Sequence, residues 1–478
     1  MRKVPKEQII KSLQQQNPWW NPPYAVPTLY TDCRPRSYLK LFLSLVVRSE
    51  VRRAVVLMGP RRVGKTYLIH HVVQQLLATG IEPHSVAYFA VDQPLFNGLG
   101  MEELVSHYRE AVGKGAPKER VFVFFDEIQY MKDWEIHLKS LVDTYVDLRV
   151  AVSGSAAAAL RLGSTESGAG RFTDFVLPPL TFQEYLMLLN LEGLVQPSGE
   201  GLGSIFQTSD ITALNRHFLN YLNFGGYPEV IFSPEIQAAP ERFIKSDIID
   251  KVLLRDLPSL YGIQDIQELN SLFTVLSYNT ANEVSLEKLS EGSGVAKNTI
   301  KRYIEYLEAA FLIRKVHRID RNARRFKRAT SFKVYLTNPS IRAALFSPIE
   351  ENDSCMGDLV ETAVFSQWFH SESVLHYARW KNGEVDIVKL DHEQKPLWVV
   401  EAKWSDRIAG HPDELSALCR FCKANGLTSA LVTTRSERTE MDVEGVRIVF
   451  RPASLYCYTV GRNLVEHRTK GGTGAGPS

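Results

Sequence analysis

At 478 residues the chain is too long for one hydrophobic core and long enough for two to four domains of ordinary size. It is 44% hydrophobic and 23% charged, with Lys plus Arg exceeding Asp plus Glu by only 56 to 54; this excludes a mostly disordered protein and names no partner by charge. Five cysteines (Cys33, Cys355, Cys419, Cys422 and Cys457) are too few and too scattered for a disulfide framework, so a reducing compartment, the cytoplasm, is expected.

The N-terminus opens Met1-Arg2-Lys3 and continues through Gln8 to Gln16 and Pro18-Trp19-Trp20, without the apolar run of a signal peptide. No window reaches 18 uncharged apolar residues, so no membrane partner is expected. From Val51 to Pro179, β-rich runs alternate with helical segments, the pattern of a parallel sheet wrapped by helices. The strands are predicted at Ala54 to Met58, Val86 to Val91, Val121 to Phe125, Arg149 to Ser153 and Phe172 to Leu177. A Gly-, Ser- and Pro-rich stretch, Gly193 to Ser204, closes this unit and predicts a boundary near residue 200, giving a first domain, 1–200, with an N-terminal extension.

Within that domain, Gly59-Pro60-Arg61-Arg62-Val63-Gly64-Lys65-Thr66 fits G-x-x-x-x-G-K-[ST], after an apolar strand and before the helical stretch Tyr67 to Leu77. Glycines let such a loop turn its N–H groups and the following helix end toward phosphates. Lys65 then reaches the β/γ oxygens and Thr66 holds Mg²⁺. The plainer alternative is a Gly turn with a surface lysine. Val121 to Phe125 runs apolar into Asp126-Glu127, which suits a buried strand ending at the same site. Asp126 is expected in the Mg²⁺ shell and Glu127 as the base that polarises the attacking water; alone, the pair reads equally well as two solvated acids. At the end of the next strand Ser153 and Ser155 compete as sensors of the γ-phosphate. Arg171, after Gly168-Ala169-Gly170, is either a finger that acts on a neighbouring copy, implying a homo-oligomer, or an ordinary surface arginine.

These residues, with Pro178-Pro179-Leu180-Thr181-Phe182-Gln183-Glu184-Tyr185, Gly225-Gly226-Tyr227-Pro228-Glu229 and Leu254-Arg255-Asp256-Leu257, resemble prokaryotic AAA-type ATPases with a C-terminal DUF4143 domain, from about Tyr30 to Lys403. The resemblance implies an additional-strand P-loop core, in which the strands of the P-loop and of Asp126 flank the one that ends near Ser155. ATP and Mg²⁺ are the cofactors it implies.

From Ile211 to Phe346 the pattern is mostly helical, defining a middle domain, 201–346. Glu283 to Leu336 reads as two short helices and two strands joined by a basic turn, the order of a winged helix. Ile300, Ile304, Leu307 and Phe311 form a buried face, leaving Lys297, Asn298, Lys301 and Arg302 at the start of a recognition helix. Between Arg314 and Lys333, nine Lys or Arg, among them Arg321, Arg324, Arg325, Lys327 and Arg328, stand against Asp320 alone. That strip suits nucleic-acid phosphates, DNA being favoured; the alternative is domain or protein packing, with partners such as Glu350 and Glu351.

The third unit, 347–460, again mixes helix and strand. Glu384 to Leu390 and Leu397 to Lys403 read as a hairpin that places Asp386 opposite Glu401 and Glu384 opposite Lys403, a register that a one-residue slip would undo. Opposed buried carboxylates call for a cation between them. The arrangement resembles a PD-(D/E)xK nuclease core, a restriction-endonuclease-like α/β domain, although Glu-Val-Asp stands in place of Pro-Asp. The resemblance puts Asp386, Glu401 and Glu361 at Mg²⁺ and Lys403 on the attacking water; a catalytically silent scaffold is the alternative. Cys419 and Cys422 form a lone CxxC, without the second pair that a zinc site needs. The Gly-rich end, 461–478, is expected to be a disordered tail.

Overall fold

The computed structural model describes residues 5–48, 52–113, 120–154, 170–198, 205–324, 331–371 and 373–469. The chain divides into two compact units, Met1–Leu177 and Pro178–Ser478. Residues 178–188 thus belong with the second unit, although the sequence suggested a boundary near residue 200. The reason is local. Thr181 and Glu184 form a capping box that starts the helix Phe182–Leu188. The Phe182 N–H donates to Gln367 Oε1 at 3.0 Å, and the buried Tyr221 hydroxyl donates to Leu180 O at 2.8 Å.

The first unit carries a five-stranded parallel sheet of β1 (Ala54–Met58), β2 (Val86–Ala90), β3 (Val121–Asp126), β4 (Leu148–Gly154) and β5 (Phe172–Val176), in the order β2-β3-β4-β1-β5. All residues of β1 and β3 are buried, as their unbroken apolar runs require. The strand β4 lies between β1 and β3, the additional-strand arrangement expected from the sequence. Helix α1 (Lys6–Gln16) and a short turn at Pro18–Trp20 cover the edge strand β2. There the indoles of Trp19 and Trp20 donate to Val86 O at 2.9 and 2.8 Å, and Gln16 Oε1 accepts the Ala90 N–H at 2.8 Å. Side chains thereby satisfy backbone groups that an open edge would expose. Helices α2 (Thr28–Thr31) and α3 (Leu39–Val47) precede β1, and α4 (Lys65–Ala78) follows it.

The second unit is built on a nine-stranded mixed sheet. After a two-residue pair, β6 (Gln196–Pro197) and β7 (Phe206–Gln207), its strands are β8 (Glu283–Ser285), β9 (Ile313–Ile319), β10 (Ser331–Leu336), β11 (Leu375–Trp380), β12 (Gly383–Leu390), β13 (Pro396–Glu401), β14 (Ser429–Thr434), β15 (Thr439–Val443) and β16 (Val446–Pro452). They run β15-β16-β14-β13-β12-β11-β9-β10-β8, with β9 parallel to β11, so one sheet joins the regions that the sequence suggested were separate middle and third domains. Strand β10 serves both. Phe332, Val334 and Leu336 enter a core with Ile300, Ile304 and Leu307 of the helix Lys297–Ala309, while Tyr335 packs with Val360 and Phe365 of the helix Met356–Gln367. Between β12 and β13 the register is Ile387↔Val400, Val388↔Val399 and Lys389↔Trp398, the one assumed from the sequence, before an irregularity at Leu390. Among the described residues no helix is long and apolar enough to cross a membrane.

Candidate functional site

The P-loop is shaped by two residue requirements. Gly59 has φ +157°, and a Cβ there would lie 2.2 Å from Leu177 O; Gly64, with φ +94°, turns the chain into α4. Lys65 is buried and its ammonium is folded onto the loop, donating to Gly59 O at 3.1 Å and Pro60 O at 2.9 Å. Arg62 takes φ +63°, and Arg61 reaches the Tyr130 hydroxyl at 3.3 Å. The Val63 carbonyl accepts from the buried Arg36 at 2.7 Å.

Asp126 is the convergence point. Its Oδ2 accepts from Thr66 Oγ1 at 2.6 Å and from the Tyr88 hydroxyl at 2.8 Å, and its Oδ1 accepts from Ser153 Oγ. Burial and the adjacent carboxylate push the Tyr88 phenol far above its ordinary pKa, so it stays a donor. Burial pulls His70 below the usual histidine range, and the neutral ring pairs through Nδ1 with the Thr66 carbonyl at 2.8 Å, which as a pure acceptor selects the Nδ1–H tautomer. Glu127 is left-handed (φ +60°), its N–H directed to Ser153 Oγ at 3.3 Å and its carboxylate accepting from Gln129 at 2.5 Å. A buried carboxylate and a hydroxyl beside the start of a helix are hard oxygen donors, which suit Mg²⁺. Of the competing serines, Ser153 meets Asp126; Ser155 lies outside the described residues. Tyr88 escaped the sequence reading because its partner is 38 residues away. Its one signal was a hydroxyl-bearing aromatic in the strand beside Asp126.

Arg171 stands at the start of β5, where Ala54 pairs with Phe172, and its Nε bonds Asp143 Oδ1 at 2.5 Å. The P-loop leaves the other end of β1, about 16 Å away at ~3.3 Å per residue. Arg171 therefore stands at the end of the sheet opposite the P-loop.

In the second unit the structure brings together Glu361, Glu384, Asp386, Glu401 and Lys403. Lys403 Nζ is 2.8 Å from Glu401 Oε1 and 3.5 Å from Asp386 Oδ2, which also accepts the Ala402 N–H at 2.9 Å. The sequence reading assigned Lys333 to the phosphate-binding strip. The structure corrects this: Lys333 Nζ lies 2.9 Å from Glu361, 2.7 Å from Glu384 and 3.4 Å from Asp386, with its side chain 4% exposed. β10 turns Lys333 and Tyr335 inward together, and the Tyr335 hydroxyl donates to Glu361 at 2.7 Å. Burial, and then the Asp386 charge, raise Glu361 and Glu401 to about 7, offset in part by Lys333 and Lys403 respectively. Burial opposes the Lys333 charge, but Glu361 and its neighbours outweigh it and hold that charge firmly in place. Among the described residues no three of His, Cys, Asp and Glu are grouped so as to hold a metal ion, the two ammonium groups standing among the acids. Among the described residues the buried Glu401 Oε2 meets no hydrogen-bond partner, so this carboxylate keeps an open acceptor.

Lys297, Asn298, Lys301 and Arg302 are exposed on the first turns of their helix, while Ile300, Tyr303, Ile304 and Leu307 are buried. Phe311 is only half-buried, at φ +58° just past the helix. Lys297 pairs with Glu287 at 3.1 Å and Lys301 approaches Glu305 at 4.0 Å, pairs that water screens. Arg321 and Arg324 are exposed; Arg325, Lys327 and Arg328 lie outside the described residues. Glu351 pairs with Arg435 at 2.5 Å, away from this strip. Cys419 and Cys422 are free and buried in the core beside β12 and β16; burial pushes Cys422 up to about 12, as for packing residues.

Residues 51–186 match the family profile of an AAA domain, and residues 215–352 match a domain of unknown function, DUF8612, where the resemblance implied DUF4143. Two uncharacterized proteins of Methanocaldococcus jannaschii are 23% and 24% identical over 68% and 72% of this chain, and 70% and 74% of theirs. An uncharacterized Haemophilus influenzae protein is 22% identical over 70% of this chain and 78% of its own. Among solved structures, the S. cerevisiae Hsp104-ADP complex aligns at 12% identity and TM-score 0.29, over 63% of this chain and 40% of that one. C. elegans PCH-2 aligns at 16% and 0.28, over 42% of this chain and 60% of its own. The stretch with the P-loop and Asp126, residues 51–186, is thus similar to AAA domains, and residues 215–352 are similar to the DUF8612 domain.

Proposed function

We propose that this chain is a Mg²⁺-dependent ATPase whose nucleotide state controls a nucleic-acid-binding second unit. The observation that carries the reading is the convergence of Thr66, Ser153 and Tyr88 on Asp126, next to Lys65 and Glu127. Lys65 exchanges its loop carbonyls for β/γ oxygens, and Glu127 takes the proton of the attacking water. Bound Mg²⁺ supplies charge neutralisation at the phosphates; Thr66 and Asp126 hold it. In an oligomer, Arg171 serves the neighbouring site. Lys65→Ala tests the assignment: ATP turnover should disappear, and undiminished turnover would refute it.

For the second unit, the element order β8, Leu286–Ser293, Lys297–Ala309, β9, β10 supports a winged helix, with Lys297, Asn298, Lys301, Arg302, Arg321 and Arg324 facing DNA. The approach of Asp386, Glu401 and Lys403 supports a PD-(D/E)xK-like centre, in which Lys403 would orient water and Asp386, Glu401 and Glu361 would hold a divalent ion, provided that the ion displaces Lys333 from Glu361 and Asp386. A second reading, a silent scaffold, is favoured by one observation: Lys333 already pairs with Glu361, Glu384 and Asp386. Incubation of DNA and RNA with the protein and Mn²⁺ separates the two. Cleavage that Asp386→Ala abolishes supports the nuclease, whereas binding without cleavage supports the scaffold.

A further inference from the structure

Residues before Val51 lie outside the AAA match, yet they reach the nucleotide site at three points. Asn17, fully buried, brackets Tyr88: its Nδ2 donates to Tyr88 O at 2.9 Å and its Oδ1 accepts the Tyr88 N–H at 2.6 Å. Tyr30 of α2 stacks on the His70 ring, with centroids 3.7 Å apart and planes at 12°; His70 in turn packs on the Tyr88 ring at 4.6 Å and holds the Thr66 carbonyl. Arg36 ties the P-loop through Val63. Two chains of contact, Asn17–Tyr88–Asp126 and Tyr30–His70–Thr66, therefore end on the two residues proposed to hold Mg²⁺.

We propose that the N-terminal extension completes the cation half of the ATP site, with Tyr88 as a positioning residue for the Asp126 carboxylate and Asn17 as the residue that holds Tyr88. The inference rests on the nucleotide-site reading above. Hydroxyls from three elements, α4, β2 and β4, fix the rotation of the Asp126 carboxylate, and the one from β2 is aimed by the extension. Partners that orient a ligating carboxylate typically change metal affinity by about 10–100-fold when removed. Tyr88→Phe keeps the ring that packs on His70 and removes only the hydroxyl.

The test measures ATP affinity of the full chain by calorimetry, in Mg²⁺ and in EDTA. For Tyr88→Phe the gain in affinity that Mg²⁺ confers should fall about tenfold, while affinity in EDTA falls by less. Asn17→Ala should lower the same gain; if it does not fold, Tyr30→Leu reads the coupling through His70. A Mg²⁺ gain unchanged in Tyr88→Phe overturns the role of Tyr88, and one unchanged in the folded extension variants overturns the role of the extension. A wild-type protein that binds ATP equally with and without Mg²⁺ removes the underlying site reading itself.

Discussion

Replacing Lys333 by Met keeps the volume of the stem and deletes an ammonium that three carboxylates surround at 2.7–3.4 Å. The side chain is 4% exposed, so water does not take over the lost role. Removing one partner of a buried ion pair costs about 3–5 kcal/mol, because the remaining charges stay desolvated. At ~1.6 °C per kcal/mol for a unit of roughly 300 residues, the melting midpoint should drop by about 5–8 °C. Lys395→Met is the control, since Lys395 pairs with Glu393 with 72% and 57% of the two side chains exposed and is worth about 0–1 kcal/mol. Differential scanning fluorimetry, followed by urea titration, reads both variants. Glu361→Gln added to Lys333→Met should recover part of the loss, because one of the stranded charges is then gone. If Lys333→Met melts within about 2 °C of the control, at the ~1.6 °C per kcal/mol used above, the assignment of Lys333 as the counter-ion of this centre is refuted.

Gly59→Ala would put a methyl 2.2 Å from Leu177 O at a φ of +157°, so ATP binding should be lost while the second unit melts as before, seen by calorimetry and scanning fluorimetry. Gly226→Ala places a Cβ 2.6 Å from Ser340 Oγ and 2.7 Å from Asn338 Oδ1, and should destabilise the second unit by about 1–3 kcal/mol in urea unfolding. DNA affinity measured by fluorescence anisotropy should fall steeply with salt, and Arg321→Ala and Arg324→Ala should each reduce the slope by about 1. A flat salt dependence would direct attention to a protein partner instead. Cys422, buried and pushed up to about 12, should resist iodoacetamide in the folded chain and react once the second unit is unfolded, as followed by mass spectrometry.

How much was legible in the sequence follows from how local each signal is. The P-loop, the strand that ends in Asp126 and the five strands of the first sheet are read from contiguous residues, and the structure places them within a residue or two of expectation. The register of β12 and β13 was also readable, since a short turn joins them and its centre sets which residues face each other. Lys333 was not readable. Its charge was counted with the basic turn, yet it meets Asp386 across 53 positions, on a strand whose alternation turns it away from the strip. The same limit hid Asn17, which meets Tyr88 across 71 positions. The boundary after Leu177 was obscured because the anchoring of Leu180 and Phe182 to Tyr221 and Gln367 leaves no compositional trace. Gly226 shows the reverse case: a Gly-Gly-Tyr-Pro motif stood out in the sequence, and its physical reason, close approach to Ser340 and Asn338, came only with the coordinates.

The central claim is that Glu127 and Asp126 make the first unit an ATP-hydrolysing site rather than a nucleotide-binding one. Phosphate release by the wild type and by Glu127→Gln, each paired with an ATP-binding isotherm, tests it most directly. Loss of a general base lowers turnover by about 10²–10⁴-fold, so Glu127→Gln should bind ATP with near wild-type affinity and release almost no phosphate. Equal phosphate release by the two proteins, or a wild type that binds ATP without releasing phosphate, would contradict the account.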